Sequence, residues 1–192
     1  MRKIELETPS ISFFRKPASS THPHSTVSIR QVYVGIRDGR FREETDSLRL
    51  ITDLDERREY KKNEFNFVTF SGTFSYRNSV SLVKHSGLIC LDLDHLAERR
   101  WELRDRLIVD PYFETELLFT SPSGDGLKWV VEIDLARATH LDWFKAIRNY
   151  VRVTYGVAVD ESCKDVVRAC YLPHDPEIYI NPIIDVEINN NI

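Results

Sequence analysis

"GLICLDLDHL", Gly87 to Leu96, sets two aspartates one residue apart at the end of a continuously apolar run. Such a run is what a strand covered on both faces looks like. On a strand, residues i and i+2 point to the same side, so Asp92 and Asp94 project together while Leu93 points away. Two like charges that close cost free energy unless something positive lies near them. Paired carboxylates suit Mg²⁺ or Mn²⁺, hard cations held by oxygen ligands together with substrate phosphates. The competing reading is a strand end satisfied by loop amides or by arginines such as Arg99 and Arg100. The doublet alone leaves the two readings open.

Outward from the doublet, the pattern reads helices first, then β-α-β-β-α-β-β. "TVSIRQVYVGIRDG" has helical spacing with Gly39 as a stop, and "EETDSLRLITDLDERREYKKN" reads as one charged helix. Its Arg57, Arg58, Lys61 and Lys62 are read as a solvated face. "FNFVTF" is a short β-rich run, and "SYRNSVSLVKHSG" is read as a short helix. "LAERRWELRDRLIVD" is helical, with Leu103, Leu107 and Ile108 as its apolar stripe. "THLDWFKAIRNYVRVTYG" is the clearest helix, with Leu141, Phe144, Ile147 and Tyr150 on one face. "VAVDES", "VVRACYL" and "EIYINPI" read as further short strands. The expected fold is α+β: a central mixed or antiparallel sheet flanked by helices, with the acid-bearing strand near its centre. The expected organisation is an N-terminal strand or irregular segment (1–26), one domain (27–185) and a frayed tail (186–192).

Composition limits the options. The 192 residues are 42% hydrophobic and 29% charged, and no apolar run approaches a membrane span. No signal peptide is evident, and Cys90, Cys163 and Cys170 fit reduced thiols in a cytoplasm better than a disulfide framework. They lack a zinc spacing with His174, and His22-Pro-His24 reads as a solvated loop. The net charge of −4 argues against a protein that coats duplex nucleic acid. It leaves room for a cleft in which metal ions supply the positive charge.

Two further elements favour such a cleft. "FTSPSGDGLKWVV" is a Ser/Gly hairpin whose Ser121, Ser123, Gly124 and Gly126 would let a polyanion approach closely, and Lys128 adds a point charge suited to phosphate. No P-loop is present. Asp160 ends a second apolar run and would complete a metal site with Asp92 and Asp94, with Asp165 as runner-up. Arg168 would meet a triphosphate or the acids themselves. His174 and Asp175 lie in a Pro-His-Asp-Pro turn that they would shape.

In this order, strand-DxD, Ser-x-Ser-Gly-x-Gly-x-basic and a later hydrophobic-Asp resemble the three-part signature of archaeo-eukaryotic-type primases and primase-polymerases. More narrowly, "FVTFSGTFSYRNSVSLVKHSGLICLDLDHL", "FTSPSGDGLKWVV" and "VVRACYLPHDP" resemble the VirE N-terminal domain family of Bacteroides-type mobile elements. Its members are often followed by a helicase or primase C-terminal region. The resemblance implies Mg²⁺ or Mn²⁺ on Asp92, Asp94 and Asp160, and nucleoside triphosphate phosphates on Ser121, Ser123 and Lys128. It implies nucleotidyl transfer on a single-stranded nucleic-acid template. Those primases usually carry histidine where this chain has Lys128, which cannot act as a neutral donor near pH 7. A non-catalytic module binding nucleotide or single-stranded DNA is therefore the alternative. "ICLDLDHL" also resembles the strand of haloacid dehalogenase-type phosphohydrolases, in which the first Asp is a nucleophile. There the acid pair opens the fold, whereas here it follows Gly87, and His95-Leu96 replace the usual small residues.

Overall fold

The computed structural model describes residues 9–186; residues 187–192 of the expected tail lie outside the described residues. The described residues form ten strands, paired in antiparallel sheets, and six α-helices, an α+β fold. Among the described residues two strands precede the first helix, one of them within the segment expected to be strand or irregular (1–26). β1 (Ser10–Phe14) pairs on one side with β2 (Ser25–Ser28) and on the other with β3 (Phe67–Thr69), and β3 carries β9 (Cys170–Tyr171) at the far edge. The second sheet runs β10 (Tyr179–Ile180), β7 (Thr115–Thr120), β8 (Leu127–Glu132), β6 (Leu88–Leu93). A small ladder joins β4 (Gly72–Phe74) to β5 (Leu82–His85).

The pleat of β6 sorts its side chains into two cores. Ile89, Leu91 and Leu93 join Leu118, Trp129 and Val131 under α4 (Arg99–Ile108) and α5 (His140–Tyr155). Leu88 joins Leu117, Phe119 and Val130 against the first sheet and α1 (Ile29–Arg37). The layers are thus helices, sheet, sheet. Trp129 is fully buried, and its Nε1–H donates to the Thr115 hydroxyl at 2.7 Å, so its one polar atom is satisfied. Cys90 and Asp92, on the alternate positions of β6, therefore face the space between the two sheets.

Several expectations need correction. The acid-bearing strand is an edge strand, not a central one: among the described residues β6 pairs with β8 alone. Its free edge is covered by the chain before a 3₁₀ turn (Glu161–Lys164), where the Asp160 N–H donates to the Asp92 carbonyl at 3.0 Å. Residues 157–160 run alongside without forming a strand, because that single bond does not continue as a ladder. The charged helix is two, α2 (Arg42–Leu50) and α3 (Leu54–Glu64), since Asp53 accepts from the Asp55 and Glu56 amides and starts a new helix. Residues 75–87 hold a 3₁₀ turn (Ser79–Ser81) and β5 rather than a helix; Asn78 caps the turn by accepting from the Ser81 N–H. On α5 the buried face is His140, Phe144, Ile147, Val151 and Tyr155; Leu141 is exposed. Gly156 closes α5 in the left-handed region, as expected of a C-terminal glycine.

A histidine pair ties the small ladder to α5. The Gly87 N–H donates to His85 Nδ1 at 3.0 Å, which places the ring proton on Nε2, 3.1 Å from His140 Nδ1. Burial, then the proximity of His140, holds His85 down at about 4, and burial lowers His140 as well. An unfolded imidazole titrates near 6.5, so between those values the unfolded chain binds the extra proton. The pair's contribution is complete above about pH 6.5 and is lost as pH falls towards 4. Urea midpoints measured across that window should fall more steeply for the native chain than for His85→Gln. Parallel curves would show that the pair contributes nothing.

Candidate metal and phosphate site

The C-terminal end of β6 brings three acids together. One carboxylate oxygen from each of Asp92, Asp94 and Asp160 lies within 4.8 Å of the others. Asp92 and Asp94 share a face by strand alternation, and Asp160 is delivered by its backbone bond to Asp92. Asp165 is not among the converged acids; its carboxylate accepts from Val167 N–H and shapes the turn.

Cations surround the acids. Lys128 stands directly opposite Asp92 in the β6–β8 register, and its ammonium pairs with Asp92 Oδ2. Both side chains are buried, at 8% and 5% exposure. Burial alone would pull the lysine pKa down, but Asp92 more than offsets it and the ammonium is held above its ordinary value. Arg168, just before β9, reaches Asp160 at 2.7 Å and Asp92 Oδ2 at 3.5 Å. Burial pushes Asp160 up, yet the Ser162 amide and Arg168 hold its carboxyl below the usual value. For Asp94 the balance goes the other way: burial and the neighbouring Asp92 raise it.

The two Asp92 oxygens differ. Oδ2 is held by Lys128 and Arg168, while Oδ1 is buried with no hydrogen-bond partner. A carboxylate oxygen left that way costs free energy unless a cation or water meets it. A small space of about 20 Å³ behind Asp92 is lined by Lys128, Cys163, Arg168 and Cys170 as well, and neither Asp94 nor Asp160 lines it. The donor set, three carboxylates with one unspent buried oxygen, fits Mg²⁺ or Mn²⁺.

Sequence reading missed Lys61. Arg57, Tyr60, Lys61 and Glu64 recur at i, i+3, i+4 and i+7 and form the half-buried stripe of α3. Lys61 is lowered by burial and by the nearby Lys128, with Asp92 and Asp94 acting in the opposite sense, so it belongs to this site rather than to a solvated face. Arg57 donates to the Ile51 carbonyl instead of facing water. The signal was the helical spacing, obscured because the stripe is polar.

The hairpin forms one wall of the site but spends its hydroxyls on itself. Ser121 Oγ accepts from Gly126 N–H at 3.1 Å, and Ser123 Oγ donates to Asp125 at 3.0 Å. Gly126 packs directly against the acid strand, where an added Cβ would fall 2.6 Å from the Leu93 carbonyl and 3.1 Å from Asp94 Oδ1. Gly126→Ala should therefore push the turn off β6, lowering stability by about 1–3 kcal/mol and weakening Mn²⁺ binding together. Unchanged urea midpoint and Mn²⁺ titration would refute the close approach. Gly124 faces the other way, towards Arg49. His174 lies there too, away from the acids, with Nδ1 3.0 Å from the Ile36 carbonyl. The three cysteines converge behind the site, where the Cys90 thiol donates to Cys170 Sγ at 3.8 Å and all three are free thiols. Among the described residues no helix is long and apolar enough to cross a membrane.

No curated protein and no solved structure matches the chain. The family model described as "BT4734-like, N-terminal domain" matches residues 60–180, a span holding Lys61, all three acids, the hairpin and Arg168. That family is related to the VirE N-terminal domains. With more than half of its length matched, the chain belongs to the BT4734-like N-terminal domain family.

Proposed function

We propose that this domain binds a nucleoside triphosphate with Mg²⁺ or Mn²⁺ and transfers its nucleotidyl group on a single-stranded nucleic-acid template, in the manner of primase-polymerases. The observation that carries the reading is the convergence of the Asp92, Asp94 and Asp160 carboxylates, together with a buried Asp92 Oδ1 that has no hydrogen-bond partner. Those three residues would hold the ions, which when bound acidify an attacking hydroxyl and offset phosphate charge. Lys128 and Arg168 fix Asp92 through Oδ2, which leaves Oδ1 free to take an ion. Lys61 and Arg168 stand where phosphate oxygens would arrive, so the chain contributes position and charge. Lys61, Lys128 and Arg168 balance the three acids in formal charge. Two divalent ions would then leave a surplus that suits a triphosphate.

The same balance favours a second reading. Three cations already neutralise the acids, so a module that binds nucleotide or single-stranded DNA without turnover would be stable as it stands. A helicase or primase C-terminal region, in this or a neighbouring protein, would then be the partner that uses the bound strand. Incorporation of labelled nucleotide on a single-stranded template with Mn²⁺ separates the two. Product from the native chain that disappears in Asp94→Asn supports transfer. Nucleotide binding without product supports the module, and neither binding nor product removes both.

A further inference from the structure

On the far side of the hairpin turn lies a second recess of about 490 Å³, lined by Arg49, Arg100, Trp101, Gly124, His174 and Asp175. It shares the turn with the acid site: Gly126 abuts Asp94, and Gly124 abuts Arg49. Among the described residues, neither Arg49 nor Arg100 forms an ion pair with a carboxylate. Arg49 donates through Nε to the Pro122 carbonyl at 3.2 Å, and among the described residues its terminal nitrogens form no hydrogen bond. The Arg100 guanidinium stacks 4.7 Å from the Trp101 ring, and its Nε is buried with no hydrogen-bond partner. Buried guanidinium N–H groups left so are costly until an acceptor meets them. Asp175 acts on Arg49 electrostatically but forms no ion pair with either arginine among the described residues, and its oxygens accept from the Thr120 and Glu177 amides. His174 is buried, and its Nδ1 is engaged with the Ile36 carbonyl, leaving Nε2 as the ring's remaining polar atom. Trp101 is 41% exposed, an unusual position for an indole with no buried role.

The geometry points to this recess as a subsite for single-stranded nucleic acid, with a backbone phosphate on Arg49 and Arg100 and a base on Trp101. Unpaired arginines match phosphate in a bidentate way, and an exposed aromatic ring accepts any base by stacking. A strand with one phosphate here crosses the Ser121–Gly126 turn to reach the acids, so the turn separates strand-holding from metal-holding chemistry. The net acidity of the chain is no obstacle, because only this local pair of cations is needed. The inference depends on the nucleotidyl-transfer reading for the identity of the ligand only; the recess itself stands on its own residues.

The test is anisotropy of a labelled oligothymidylate over a salt series, alongside Mn²⁺ titration of the same samples. Arg100→Ala and Trp101→Ala are suitable variants, because among the described residues neither side chain hydrogen-bonds to another residue and the two stack on each other. Trp101→Ala should weaken oligonucleotide binding roughly five- to 150-fold, the range of one lost base stack. Arg100→Ala should reduce the slope of log K against log salt by about 0.7, one single-strand phosphate contact. Both should bind Mn²⁺ as the native chain does. Native binding that neither variant changes would overturn the recess while leaving the acid site standing. Mn²⁺ binding without oligonucleotide binding, or preference for a phosphorylated peptide over the oligonucleotide, would also overturn it. Loss of Mn²⁺ binding in the native chain would count against the acid site instead.

Discussion

Asp94→Asn and Asp160→Asn, made singly, are expected to lower Mn²⁺ affinity at least about 100-fold while leaving the fold intact. Partners that only orient a metal ligand already cost 10–100-fold when removed, and a direct ligand should cost more. Asp94 is the cleaner variant because it is exposed and makes no ion pair among the described residues. Its amide would keep the shape and remove the charge that burial and Asp92 disfavour, so the urea midpoint should hold or rise slightly. Asp160 is also bonded to the Ser162 amide, which an amide oxygen can still accept, but its Arg168 partner would be left facing Asp92 alone. A modest loss of stability, within about 1 kcal/mol, is expected there. Calorimetric titration with Mn²⁺ beside urea denaturation reads both quantities. Native-like Mn²⁺ affinity in both variants would show that the three carboxylates do not act together.

The parts of this site that were legible in the sequence are those carried by local pattern. Strand alternation places Asp92 beside Asp94, and the Ser-Gly-Asp-Gly turn declares the β7–β8 hairpin that sets Lys128 near them. Asp160 was legible as an acid ending an apolar run, although the run itself is held by a single backbone bond to β6 rather than a ladder. What was not legible depends on pairing between distant segments. Whether Lys128 faces an incoming phosphate or Asp92 depends on the register of β6 against β8, which the residue types alone do not set. The edge position of β6 follows from β10 joining β7 instead, a pairing of two residues that no local periodicity announces. Lys61 was read as part of a solvated face because the half-buried stripe of α3 is built from long polar side chains, whose stems cover apolar surface. Arg49 and Arg100 lie 51 positions apart, and only the fold brings both to the recess by the hairpin.

Lys128→Met is expected to be the most destabilising polar substitution at this site, by about 3–5 kcal/mol, because it leaves Asp92 buried without its partner. Arg168, at 3.5 Å and directed mainly to Asp160, replaces only part of that interaction. The surroundings, Phe70, Cys90 and Cys170 among them, offer little to solvate a lone carboxylate. Pairing the change with Asp92→Leu should recover most of the loss, since apolar groups of similar volume fill a buried ion-pair site at little cost. The coupling energy from that double-mutant cycle, read from urea midpoints, should approach the loss in the single variant. Adding Mn²⁺ then separates a structural ion pair from a metal site. If Asp92 is a ligand, Mn²⁺ supplies the missing positive charge and stabilises Lys128→Met, by about 2.7 kcal/mol at a free concentration 100 times its Kd. The double variant, with no carboxylate at that position, should respond far less. If Mn²⁺ shifts neither midpoint, Lys128 serves only to neutralise Asp92, and the doublet at the end of β6 is held by protein cations alone.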